Sequence, residues 1–393
     1  MRRIAANYIF PVTTPPIKNG IIETDDDGTI IKVINPGENP REMQRMEFYN
    51  GVLVPGFINS HCHLELSALK NQITPGLSLK NFVKHVYQKR KKLSQKEIEY
   101  SVQEADREIC RNGIVACADI SNYSYSFPAK RDSDIFYYTF IEVFGRNIFS
   151  AHKNYKHALR LYKKLLKESG MKGNLTPHSS YSVIPWLFKR IFHLYQNSKP
   201  IFSFHHQECS RQDEERLRMT GKPMSTFFPR ISNHLRQEKP GLTFGLSYFP
   251  EHARVFLVHN TFTNESDILN IETFLQDVYW VFCPNSNLYI ENKLPNLSKF
   301  LPYEDHILIG TDSLASNTHL SILNEMITLQ NNFPELSFEL LLKWATLNGA
   351  KALGIDDYAG ALEKGKKPGI NLLYNFDLLN WRMQEDTNVK RIL

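Results

Sequence analysis

Long apolar runs are missing from this chain. No stretch approaches the ~20 consecutive apolar residues that span a bilayer, so neither a membrane-spanning helix nor a membrane partner is expected. Cysteine is scarce. The five present (Cys62, Cys110, Cys117, Cys209 and Cys283) are odd in number and show no CxxC spacing, which argues against a disulfide framework and fits a reducing cytoplasm. The opening Met1-Arg2-Arg3-Ile4-Ala5-Ala6-Asn7-Tyr8 is basic, but no apolar stretch of roughly 7–15 residues follows it, so no signal peptide is expected. An excess of one charge is missing too. Lys and Arg number 47 against 41 Asp and Glu, a formal +6 spread along the chain rather than blocked. The densest basic stretch, Lys89-Arg90-Lys91-Lys92, falls in a helical segment and reads as a solvated face. With no zinc-finger spacing, RNA-binding signature or low-complexity run, nucleic acid is not an expected partner.

What is present is an ordinary globular composition, 42% hydrophobic and 22% charged over 393 residues, which excludes disordered and fibrous classes. The first residues read as short strands, Ile4–Phe10, Gly20–Thr24 and Thr29–Ile34, separated by turn chemistry such as Asp25-Asp26-Asp27-Gly28. From Val52 onward, brief β-branched or aromatic runs alternate with helix-period segments. Eight strands are predicted: Val52–Ile58, Ile114–Ile120, Phe136–Val143, Asn174–Pro177, Ile201–Phe204, Val255–Val258, Tyr279–Phe282 and Ile307–Ile309. Between them lie helices predicted over Asn81–Leu93, Gln95–Arg111 (with Ser94 as N-cap), Asn154–Glu168, Pro185–Gln196, Asn264–Leu275 and His319–Leu329. A last helix, Ser337–Leu353, stops at Gly354, and a strand follows at Ile370–Tyr374. Eight alternating units predict an α/β fold, a TIM-like (β/α)8 barrel over residues 56–355. Residues 1–55 and 356–393 would join as a small discontinuous β domain, a β-sandwich.

Chemistry-bearing residues fall just past the strand ends. His61 and His63 are spaced by two, so on an extended backbone both imidazoles face one side. His178 follows strand 4, His205 strand 5, His259 strand 6 and Asp312 strand 8. In a barrel all these ends converge on the C-terminal face, where active sites sit. Imidazole and carboxylate donors suit Zn²⁺, with Fe²⁺ the alternative.

Val54-Pro55-Gly56-Phe57-Ile58-Asn59-Ser60-His61-Cys62-His63 resembles the "PGxxxxHxH" signature of the amidohydrolase superfamily. His205-His206-Gln207-Glu208 is similar to its strand-5 "HxxE", Val258-His259-Asn260 to its strand-6 His and Gly310-Thr311-Asp312-Ser313 to its strand-8 Asp. Ala345 to Gly354 is similar to its last helix. Within the superfamily the chain resembles the mononuclear nucleobase and nucleoside deaminases. His61 to Ser67, Val258 to Thr263, Cys283-Pro284-Asn285-Ser286-Asn287 and Gly310 to Asn317 look most like the aminodeoxyfutalosine deaminase family of menaquinone synthesis. Two departures stand out. Cys62 replaces a frequent Thr and should point away from the metal, and Lys367-Pro368-Gly369-Ile370-Asn371 lacks an Asp often found there.

The resemblance implies one divalent metal, zinc or iron, on His61, His63, His205 and Asp312, with an activated water as the nucleophile. His206 is the alternative to His205; the three-residue gap to Glu208 favours His205. A second metal is not expected, because strand 4 reads Asn174-Leu175-Thr176-Pro177-His178 with Lys172 at the wrong end. Glu208 would shuttle protons, and His259 and Asp312 would hold and deprotonate the water; a carboxylic acid kept protonated by burial can serve near neutral pH. His178 lies in Thr176-Pro177-His178-Ser179-Ser180-Tyr181-Ser182, similar to the family's "PHxxYS", and would contact the substrate ring. Glu65 could accept a substrate hydroxyl or amine, and Ser313 could orient ligand. Arg146 is the candidate for a substrate carboxylate, with Arg90 and Arg131 as alternatives. The implied reaction removes the 6-amino group of an adenine-type nucleoside, with aminodeoxyfutalosine the implied substrate. The alternatives are another ring (guanine, adenosine, S-adenosylhomocysteine or a triazine) and an inactive ligand-binding homologue. The expected partner is a small molecule, and a homodimer is compatible with the chain.

Overall fold

The structure is a computed structural model that describes residues 1–37, 45–167, 170–219 and 245–393. Eight parallel strands are arranged in chain order as two ladders of four. Phe57–Cys62, Ile114–Ser121, Phe136–Val143 and Lys172–Pro177 form one; Ile201–His206, Arg254–His259, Asp277–Phe282 and Ile307–Ile309 form the other. They are barrel strands 1 to 8 below. Neighbouring residues along these strands enter different apolar clusters: Val255 and Leu257 pack into one, Phe256 and Val258 into another. Burial on both faces explains why the strands read as continuous apolar runs.

A full ladder forms at neither seam between the two sets. The 8–1 seam has a bridge at Cys62 and Asp312, with the Thr311 and Asp312 amides both donating to the His61 carbonyl at 3.0 Å. Buried Asn59 completes it, accepting from the Thr311 amide at 3.1 Å and donating to Thr311 Oγ1 at 2.8 Å. At the 4–5 seam the His205 amide donates to the His178 carbonyl at 2.8 Å, and Thr176 Oγ1 donates to the Ser203 carbonyl at 2.6 Å. Side chains replace the missing rungs.

Strand 1 begins later than predicted. The apolar run Val52–Ile58 is divided at Gly56, where a Cβ would lie 2.3 Å from Val115 Cγ1 and 2.6 Å from the Pro368 carbonyl oxygen. Only glycine permits that approach. Met46–Pro55 before the break belongs to another sheet, and Phe57–Cys62 after it opens the barrel. His61 therefore lies inside strand 1 and His63 just beyond it. Strands 5 and 6 likewise extend two and one residues further than predicted, through His206 and His259.

Both chain ends meet in one seven-stranded sheet: Arg382–Arg391, Ile370–Asp377, Met46–Pro55, Arg2–Ile9, Ile21–Thr24 and Ile30–Ile34 in order, with Ile17–Lys18 on Arg2–Ile9. This corrects the expected sandwich. Met46–Pro55 pairs parallel with Arg2–Ile9 and antiparallel with Ile370–Asp377, so one long strand joins the N- and C-terminal strands in a single ladder.

Helix Gln95–Arg111 begins at Ser94, whose side chain and that of Glu97 form a capping box, and buries Ile98, Val102, Ala105 and Ile109 on one stripe. The helix predicted over Asn154–Glu168 runs over Ile148–Lys167, and Glu168 lies outside the described residues. The helix predicted over Ser337–Leu353 is two, Phe338–Ala345 and Leu347–Leu353, broken at Thr346 with φ −135° and ψ −84°. Among the described residues no helix is long and apolar enough to cross a membrane.

Asn59→Ala removes both side-chain rungs of the 8–1 seam, leaving the Thr311 amide the His61 carbonyl alone and buried Thr311 Oγ1 without its donor. A loss of about 1–3 kcal/mol is expected, read as a lower urea midpoint at unchanged m-value. An unchanged midpoint would show that the seam does not depend on this side chain.

Candidate active site

His61, His63, His205 and Asp312 come together where strands 1, 5 and 8 end. His63 Nε2 lies 3.1 Å from His61 Nε2 and 3.3 Å from His205 Nε2, and Asp312 Oδ1 lies 3.5 Å from His63 Nε2 and 3.8 Å from His61 Nε2. Alternation along strand 5 sends His206 the other way, to Asn260 Oδ1 at 3.0 Å. Cys62, between the two strand-1 histidines, packs into the main apolar core. Gly310 makes room for the cluster: a Cβ there would lie 2.8 Å from His61 Cβ.

Burial, with neighbouring histidines adding to it, holds His61 and His205 well below the usual imidazole range. Burial brings His178 and His206 down to about 4. Neutral imidazoles keep lone pairs for a metal. Tetrahedral ligands at the usual Zn–N length stand roughly 3.3 Å apart, and His63 Nε2 keeps that spacing to both His61 Nε2 and His205 Nε2. The donor set therefore fits one divalent cation.

The carboxylate of Asp312 is divided between two tasks. Oδ1 faces the histidines, while Oδ2 accepts from Ser286 Oγ at 2.6 Å and Ser316 Oγ at 2.7 Å. Ser313 stands one step further out, its Oγ 3.2 Å from Ser316 Oγ. His259 Nδ1 meets Asn287 Oδ1 at 3.0 Å, and its Nε2 lies 3.7 Å from Glu208 Oε2. The Tyr181 hydroxyl donates to the other oxygen of Glu208. His178 stacks on His205 with centroids 4.5 Å apart, and Ser179 and Ser182 hydroxyls contact its Nδ1 at 2.7 and 2.8 Å. Backbone at the strand ends is left-handed, with φ +44° at Gln207, +78° at His259 and +56° at Asp312. Such conformations cost of order 1–3 kcal/mol each and gather where side chains must be aimed.

Glu65 is buried beside the site. Both of its oxygens are engaged, by the Tyr123 amide at 3.0 Å, the Asn122 amide at 3.1 Å and Arg90 Nη2 at 3.1 Å. It ties the loop after strand 2 to the helix Ser78–Arg90. Arg146, on the loop after strand 3, is exposed and donates to the Leu217 carbonyl at 3.2 Å. Arg90 lies over the Tyr123 ring, 4.7 Å from its centroid, and exposed Arg131 pairs with Asp132.

Ser286, Asn287, Tyr181, Asn122 and Glu142 are site residues that the sequence reading did not assign. The first three sit inside motifs already quoted; Glu142 is signalled only as a charge near the end of an apolar strand.

The amidohydrolase family model matches residues 52–388. The chain belongs to the amidohydrolase family. An aminodeoxyfutalosine deaminase from Nitratiruptor is 29% identical over 336 residues, covering 82% of this chain and 79% of that protein. Among solved structures, Helicobacter pylori aminofutalosine deaminase in complex with methylthio-coformycin superposes with a TM-score of 0.77 over 100% of both chains at 20% identity. A Xanthomonas campestris adenosine deaminase with bound zinc gives 0.72 at 19% identity, over 98% of this chain and 86% of that one. At these identities the structures establish the shared fold.

Glu325 links the loops after strands 7 and 8, accepting from the Asn285 amide at 2.9 Å and Asn317 Nδ2 at 2.7 Å. Burial pushes its carboxyl up to about 8. A carboxyl whose folded pKa exceeds its unfolded value binds protons more tightly when folded, so its contribution to stability is full below about pH 4.5 and lost as pH rises through about 8. Glu325→Gln, neutral throughout, is expected to flatten the fall in Tm between about pH 5 and pH 9. Parallel Tm-versus-pH curves for the two proteins would contradict this.

Proposed function

We propose that this amidohydrolase hydrolytically deaminates an adenine-type nucleoside. The observation that carries the reading is the pairing of Glu208 with His259 at 3.7 Å beside the His61–His63–His205–Asp312 cluster, which sets an acid and a base next to one cation site. A divalent metal, zinc by its donors, would supply Lewis acidity and a nucleophilic water at neutral pH.

The chain's own groups then move the protons. With Nδ1 committed to Asn287 Oδ1, His259 presents Nε2 as the base that takes a proton from the attacking water. Glu208, steadied at one oxygen by Tyr181, protonates the ring nitrogen beside the attacked carbon. Glu208 next takes the proton held by His259 and passes it to the amino group; the C–N bond breaks, ammonia leaves, and the hydroxyl proton returns to Glu208 as the C–O bond becomes the ring carbonyl. Asp312 keeps Oδ1 on the cation side because Ser286 and Ser316 hold Oδ2. His178 stands beside His205 where a heterocycle would lie, and its neutral ring suits a contact with an uncharged purine.

Support for the adenine ring comes from the relatives, an aminodeoxyfutalosine deaminase at 29% identity foremost. The finer proposal is aminodeoxyfutalosine itself, which would place the enzyme in menaquinone synthesis, with Arg146 meeting the substrate carboxylate. A halide leaving group would not need the proton that Glu208 delivers, which favours deamination over triazine dechlorination.

Glu208→Gln should lower kcat on the order of 10²–10⁴-fold with metal content unchanged. His205→Ala should lose the metal, whereas His206→Ala keeps it. Ammonia release from adenosine, S-adenosylhomocysteine, aminodeoxyfutalosine and guanine decides the substrate. If a substrate carboxylate is bound, adenosine should show kcat/KM at least ~10-fold below aminodeoxyfutalosine, since each ~1.4 kcal/mol is tenfold. Equal values on all adenine compounds would refute that substrate, and preference for guanine would refute the adenine reading.

A further inference from the structure

Strand 3 carries a carboxylate at Glu142 that the mechanism above does not use, buried to 8% exposure at the catalytic face. Its Oε2 accepts from Asn122 Nδ2 at 3.1 Å, and Asn122 is itself pinned through its amide to Glu65 at 3.1 Å. Among the described residues its Oε1 is buried without a hydrogen-bond partner. That oxygen points at two site histidines, 3.5 Å from His205 Nδ1 and 4.0 Å from His178 Nε2.

A buried acceptor left empty costs about 1–3 kcal/mol, more when charged, so its position calls for a reason. His205 supplies one. Its Nε2 converges on His63 Nε2 at 3.3 Å, and an imidazole that offers Nε2 as a lone pair carries its proton on Nδ1. Two acceptors flank that proton: the His178 carbonyl at 3.3 Å and Glu142 Oε1 at 3.5 Å. His178 is the more distant partner, its Nε2 4.0 Å from the carboxylate oxygen against 3.5 Å for His205 Nδ1.

We propose that Glu142 is a positioning residue for the metal centre: its Oε1 shares the Nδ1 proton of His205 with the His178 carbonyl, fixes the tautomer and aims Nε2 at the His61–His63 pair. A carboxylate behind a ligating histidine also raises the basicity of the coordinating nitrogen. The inference rests on the metal reading above. Glu142, His178 and His205 also bring three donor atoms within 4.8 Å, which would suit a cation of their own. His205 would then have to surrender both ring nitrogens to metals, whereas the positioning role asks one lone pair of it.

The test is the zinc dissociation constant, measured by chelator competition on full-length wild type, Glu142→Ala, Glu142→Gln and His205→Ala, with the visible spectrum of each cobalt-loaded protein. Glu142→Ala should bind zinc on the order of 10–100-fold more weakly and shift the cobalt spectrum. Glu142→Gln, whose amide oxygen still accepts, should recover most of the affinity. Glu142→Leu, which fills the space without an acceptor, should behave like Glu142→Ala and replaces it if that variant fails to fold. Wild-type affinity in the alanine or leucine variant, with metal lost from His205→Ala, overturns the proposal and leaves the metal reading standing. Retention of metal by His205→Ala overturns both. Two metal equivalents in wild type, falling to one in Glu142→Ala, would overturn it in favour of a second metal.

Discussion

The joining of two half-barrels is the constraint on which the rest depends. Each set of four strands satisfies its own backbone through a parallel ladder, but the sets meet only at seams 8–1 and 4–5. Those seams carry His61 with Asp312 and His178 with His205. The candidate ligands thus come from both halves, and their convergence is a consequence of the junction. Individual bonds such as Thr176 to the Ser203 carbonyl contribute only about 1 kcal/mol each. Their geometric effect is larger, since a register slip would turn every side chain of a strand to the other face. Glycine enters at Gly310 for the same reason: strand 8 has to approach His61 more closely than any Cβ permits.

A buried carboxylate–ammonium pair beneath the site is fully partnered. Asp119 accepts the amide of Leu64, the residue after His63, at 2.7 Å, and its other oxygen meets fully buried Lys130. The ammonium of Lys130 also reaches Ser121 Oγ at 3.0 Å and Thr139 Oγ1 at 3.1 Å, so each of its three protons has an acceptor. A buried ion pair stabilises little unless such partners complete it. Here the pair fixes the backbone at His63, where a small displacement would move a candidate ligand. Left-handed backbone at Gln207, His259 and Asp312 shows the same preference for aim over intrinsic comfort.

Much of this was legible because burial leaves a pattern in the sequence. Eight apolar runs marked the strands, and the polar residues at their ends marked the catalytic face. Boundaries were less legible where tertiary contacts decide them. Val52–Ile58 is one apolar run, and only the close approach of Val115 and Pro368 at Gly56 divides it between two sheets. Arg382–Arg391 pairs only with Ile370–Asp377 at the edge of its sheet and is largely exposed, so it lacks the apolar alternation that signals a strand. The break at Thr346 is local: its hydroxyl donates to the Leu342 carbonyl at 2.6 Å in competition with the helical amide. Ser286 and Asn287 were visible as motif members, but a motif does not say that one holds Asp312 and the other His259.

Charge balance ties the site residues to one another. With His61 and His205 held neutral by burial, the acidic side chains facing the cluster are three carboxyl groups: Asp312 directly, Glu142 behind His205, and Glu208 beside His259. Burial, the largest effect on Glu142, pushes it above the usual carboxylate range, and the Asp312 charge adds to the rise. A divalent cation among the three Nε2 atoms would reverse that cost, because an opposite charge nearby favours ionised carboxylates. It would do so without a compensating buried cation elsewhere in the cluster. The same field would act on the two acid–base groups unequally. Asp312 lies against the candidate ligand nitrogens, whereas Glu208 lies beside His259 and is held at its far oxygen by Tyr181. In the proposed mechanism that difference in position, set by which strand each residue ends, divides the two roles: Asp312 faces the cation site and Glu208 the proton path.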